Sequence, residues 1–65
     1  MQILNANDAH QFARAWLNES TPARAAWHIR FAADSADRCA GATPHHSPTM
    51  RADYEAAARV LRSYL

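Results

Sequence analysis

Residues 22–40 read PARAAWHIRFAADSADRCA, and the secondary structure given to them decides the fold. Inside the stretch, Trp27, Ile29 and Phe31 alternate with His28 and Arg30. Such period-two alternation is the mark of a half-buried strand. Read that way, residues 26–32 would pair with the apolar lead Met1-Gln2-Ile3-Leu4 (residues 1–4), and the chain would be α+β. The flanks argue otherwise. Ala23-Arg24-Ala25-Ala26 and Ala32-Ala33 are strong helix formers, because alanine loses no side-chain entropy in a helix. Thr21-Pro22 is a start signal, a hydroxyl cap followed by a proline at the first helical position, where its missing N–H costs nothing. Gly41 is the natural stop, expected in the left-handed conformation just past the helix. The favoured reading is one helix over 22–40.

Outward from it, the link Glu19-Ser20 is short, so the preceding helix is expected to lie antiparallel and adjacent. That helix is placed at about 7–18. Asn5 and Asn7 are both good caps, and Asp8 sets a carboxylate at the positive end of the helix dipole. Ala9, Phe12, Ala13, Trp16 and Leu17 follow at the spacing of one buried face. Residues 42–49 form the clear loop, punctuated by Pro44 and Pro48. A third helix over about 49–64 is capped by Ser47 or Thr49. Its apolar stripe is Met50, Tyr54, Ala57, Ala58, Leu61 and Leu65, opposite Glu55, Arg59 and Arg62. The expectation is an all-α fold, a three-helix bundle forming a single domain over 1–65.

Size sets the next constraint. A chain of 65 residues hides only about 60% of the surface its unfolded form exposes, so its core is thin. Cys39 is the single cysteine, which excludes an internal disulfide and leaves packing, metal or self-association as the remaining supports. The formal net charge of +1 gives no overall field toward nucleic acid or anionic lipid. No apolar run approaches the roughly 20 residues that span a bilayer. A lone thiol with no visible export segment points to a reducing cytoplasm. Every basic residue is arginine and alanine dominates, a bias expected of a GC-rich bacterial or phage source.

The wheel of the second helix carries the functional signal. At 100° per residue, Ala25, Ala26, Ile29, Ala32, Ala33, Ala36 and Ala40 share an arc of roughly 120°. Trp27 and Phe31 fall about 160–200° from Ile29, among Arg24, Arg30, Asp34 and Arg38. Two faces so different can hardly dock on one neighbour. Either the helix is central and both faces are covered, or the aromatic face is left for a partner. Aromatics bracketed by arginines are enriched at binding hot spots, since they join large buried area to planar hydrogen bonding. The candidate partner-binding residues are therefore Arg24, Trp27, Arg30, Phe31 and Arg38.

Other constellations are weaker. Arg30, Asp34 and Arg38 lie four apart, as do Arg51, Glu55 and Arg59, so these charges are expected to pair along their own helices. Only Arg14, Arg24 and Arg62 lack such a partner. The first two helices superficially resemble a helix-turn-helix, whose second helix would enter the major groove. Of its leading residues Pro22, Ala23, Arg24 and Ala25, only Arg24 can read a base edge. Cys39, His45 and His46, with His28 or His10, supply metal-binding atoms, but not at the paired spacing of structural zinc. No nucleophile–base pair, carboxylate pair or glycine-rich phosphate cradle is present, and three short helices leave little room for a pocket. The expectation is a non-enzymatic protein-binding module with no cofactor or metal, acting as a homodimer or as the partner of a host complex. Its specific form is a phage- or mobile-element-encoded inhibitor that occludes a bacterial defence machine such as a CRISPR effector. A small DNA-binding regulator is the alternative.

Overall fold

The computed structural model describes residues 2–42 and 47–65. It contains α1 (Ala6–Glu19), α2 (Pro22–Gly41) and α3 (Pro48–Ser63). Residues 26–32 are helical throughout, and there is no strand among the described residues, so the α+β alternative is overturned. The alanines on both sides of the Trp-His-Ile-Arg-Phe run outweigh its alternation.

Each helix start is held by a side chain that accepts from an otherwise free N–H of the first turn. Asn5 rather than Asn7 caps α1, accepting from the Asp8 N–H at 3.0 Å, and the Asp8 carboxylate accepts from the Leu4 N–H at 3.0 Å. This reciprocal pair ties the leading arm to the helix. Thr21 caps α2 by accepting from the Arg24 N–H, and Ser47, not Thr49, caps α3 through the Met50 N–H. The end of α2 differs from expectation. Gly41 is the last helical residue, and the chain leaves through Ala42 at φ −80 and ψ 51, without a left-handed glycine.

The core is alanine-rich. Ala9 and Ala13 of α1, Ala25, Ile29, Ala33 and Ala36 of α2, and Ala57, Ala58 and Leu61 of α3 form one buried cluster. Ile29 and Leu61 are the largest fully buried side chains. Small residues let helix axes approach closely, and the widest of the three interfaces is α2 against α3. The α1–α2 contact, across the shortest link, is the smallest. Ile3, Phe12, Trp16 and Tyr64 pack around the rim of the cluster. Three predicted stripe ends do not reach it: Met50 and Leu65 of the α3 stripe are exposed, as is Leu17 of α1. Tyr64 is tied to α1 instead, its hydroxyl 2.6 Å from His10 Nδ1 with the rings edge to face.

With so few large groups inside, single core changes are expected to be severe. Leu61→Ala should cost about 2–5 kcal/mol, and Ala33→Leu about 1–3 kcal/mol by overpacking. Urea denaturation followed by circular dichroism measures both. Arg59→Ala, on the exposed side of α3, should stay within about 0.5 kcal/mol of the parent.

Candidate functional site

The alanine face of α2 turns inward, so geometry turns the opposite face out. Trp27 and Phe31 are each 58% exposed. Arg24, Arg30, Asp34 and Arg38 are exposed as well. All five predicted partner-binding residues thus lie on accessible surface of one helix. The two rings stack on each other at a centroid distance of 5.6 Å and an interplanar angle of 11°. One helical turn separates them, so the stack forms within the helix surface. Water is left on the outer side of both rings, and this is the largest pair of apolar side chains the chain leaves outside.

The arc next to this pair belongs to His28, half-buried between two tryptophans. It stacks on Trp16 of α1 at 3.6 Å with the planes 14° apart and meets Trp27 edge-on at 4.8 Å. Trp16, His28, Trp27 and Phe31 therefore form a continuous aromatic run from the α1 contact to the open face. Sequence spacing placed Trp16 on the buried stripe of α1 but carried no sign that His28 would be its partner, because ring stacking between helices depends on how the helices cross.

The other flank is set by charge. Arg62 of α3 donates to Asp34 at 3.2 Å and also to Asp37, both on α2. This corrects the expected ladder in which Asp34 pairs with Arg30 and Arg38 along its own helix. Arg38 donates to the Ser35 hydroxyl at 3.0 Å instead. Arg62 had no partner on its own helix and finds two on the next, which no i, i+4 rule can show. Its engagement also removes one of the three arginines that sequence spacing left unpaired.

Two hollows border Phe31. A shallow one of about 200 Å³ is framed by Trp27, Arg30, Phe31 and Asp34. A larger open groove of about 300 Å³ runs between the arm and the helices, lined by residues including Ile3, Phe12, His28, Cys39 and Tyr54. The bundle thus has more concave surface than its three short helices suggested. Cys39 is a free, half-buried thiol at that groove. Among the described residues no group of three His, Cys, Asp or Glu is placed to hold a metal ion. His45 and His46, weighed above as ligands, lie outside the described residues. Among the described residues, no helix is long and apolar enough to cross a membrane.

Comparison with protein-family models, with curated proteins and with solved structures returned no match.

The Arg62 clamp makes a pH prediction. Its hydrogen bond, with the Arg62 charge beside it, holds the Asp37 carboxyl below the ordinary carboxylate range against the opposing effect of desolvation. Folding therefore favours ionised Asp37. That contribution is fully present above the ordinary carboxylate pKa and is lost as pH falls through the lower, folded value. Both partners are about half exposed, so the effect is small and screened by salt. Thermal melts should show Arg62→Gln less stable than the parent at neutral pH and low salt. The gap should narrow in high salt and close in strong acid.

Proposed function

We propose that this chain is a non-enzymatic protein-binding module whose recognition surface is the outer face of α2, with Trp27 and Phe31 at its centre and Arg24, Arg30 and Arg38 around them. One observation carries the reading: two stacked aromatic rings stand 58% exposed while alanines fill the core. Leaving large apolar rings in water forgoes about 25 cal/mol for each Å² that burial would remove, and a partner recovers it. The rigid stack loses little conformational entropy on binding, and the arginines add planar donors suited to carboxylates and carbonyls.

The specific form proposed is a small phage- or mobile-element-encoded inhibitor that acts by steric occlusion of a bacterial defence complex of the CRISPR effector type. Occlusion needs surface and no chemistry, which suits a chain of this size. The DNA-binding alternative draws less support, since Arg62 is engaged by Asp34 and Asp37 and the exposed arginines of α2 surround an apolar stack.

The test is Trp27→Ala in a pull-down from the native cell or its host. Association should fall by about tenfold or more, as at interface hot spots, while the far-UV helical signal stays. An unfolded Trp27→Ala protein would move Trp27 into the structural core and remove the reading. For the inhibitor form, the parent protein should block target cleavage by the effector complex and Trp27→Ala should not.

A further inference from the structure

The open face of α2 has an internal order. Arg24, Trp27, Phe31, Asp34 and Arg38 are spaced three, four, three and four apart, the heptad spacing of a helix-pairing seam. All five are exposed. The shallow hollow on this face is framed by Trp27, Arg30, Phe31 and Asp34. Those are positions i, i+3, i+4 and i+7, the four residues that form the hole for a knob from a facing helix.

The seam is self-complementary in one direction only. When two copies of α2 run antiparallel about a two-fold axis level with residue 29, each residue faces the one whose number brings the sum to 58. Trp27 then meets Phe31 of the second copy, and Arg24 meets Asp34 of the second copy. A two-fold makes each pairing occur twice, as isologous interfaces require. The parallel arrangement would instead set Arg24, Asp34 and Arg38 each against its own copy, like charge on like charge.

We infer that α2 pairs antiparallel with α2 of a second copy of this chain, the Trp27 ring of each seated in the Trp27–Arg30–Phe31–Asp34 hollow of the other. The inference rests on the protein-binding reading above and names the partner of that same surface. Asp34 serves both its own Arg62, through Oδ1, and Arg24 of the second copy, because a carboxylate accepts at about four lone-pair positions. In this register Arg38 falls level with Ser20 of the second copy, so the paired seam runs from Arg24 to Asp34, about 15 Å at 1.5 Å per residue. One helix pair of that length makes an interface smaller than the standard protein–protein size, so self-association is expected on the order of tens of micromolar.

Sedimentation equilibrium from about 10 µM to about 1 mM brackets that range and tests it on four proteins, with circular dichroism confirming that each is folded. The parent should show a monomer–dimer equilibrium. Arg24→Glu and Asp34→Arg each set like charges together in two places and should each weaken it by about tenfold or more. The double variant Arg24→Glu with Asp34→Arg exchanges the charges across the seam and should regain association. Arg24→Glu leaves the Arg62 clamp untouched and so separates the seam from the bundle. A parent that stays monomeric at about 1 mM overturns the inference. So does a dimer indifferent to Arg24→Glu, or a double variant that stays dissociated. A monomeric parent that still captures a different protein through Trp27 would sink self-pairing and leave the protein-binding reading standing. Loss of both would end both.

Discussion

The bundle rests on how closely α2 can lie against α3. Ala33, Ala36, Ala57 and Ala58 bring little volume to the core, and Ile29 and Leu61 are its largest fully buried groups. Close packing recovers dispersion energy across many short contacts, each weak alone. It also leaves little slack. A methyl-rich interface of this kind tolerates neither an added side chain nor a lost leucine, since neighbours have few atoms with which to repack. Caps at Asn5, Thr21 and Ser47 matter in proportion, because a thin core offers little reserve against a frayed helix end.

That contact also settles where the large aromatic groups go. The inward arc of α2 is filled by Ala25, Ile29, Ala33, Ala36 and Ala40. A ring at position 27 or 31 would have to project from the far side, and α1 and α3 flank α2 without covering it there. On one flank the Trp16–His28 stack marks the limit of α1; on the other, Arg62 reaches across to Asp34 and Asp37. Between these borders lies the strip that carries Trp27 and Phe31. The exposed face is thus a consequence of the same alanine packing that holds the core together.

Much of this was legible in the residues. Helix starts could be read because a cap is a local event, decided by a side chain and an amide three positions on. The inward and outward faces of α2 could be read because helical periodicity fixes relative direction once the backbone coils. Periodicity failed at the ends, where Leu17, Met50 and Leu65 share a stripe with buried residues yet stay exposed. A stripe gives a direction, while burial needs a neighbour at that height along the axis. Charge pairing failed more fully. The Arg30–Asp34–Arg38 spacing allowed an intrahelical ladder, but exposed pairs of that kind are weak, and a guanidinium from α3 prevailed at Asp34.

The amino-acid order alone favoured three helices, named Thr21 as one starting cap and narrowed the other two to a pair of candidates each, and set Trp27 and Phe31 opposite Ile29 once that stretch coils, all of which depend on contacts within a few residues. Tertiary structure decided which outward groups meet one another: His10 with Tyr64, Trp16 with His28, Arg62 with the two aspartates. It also decided that, among the described residues, no helix lies over the aromatic face. These outcomes follow from the relative placement of the helix axes, which is set by side-chain volumes summed over the whole core and is carried by no single stretch of sequence.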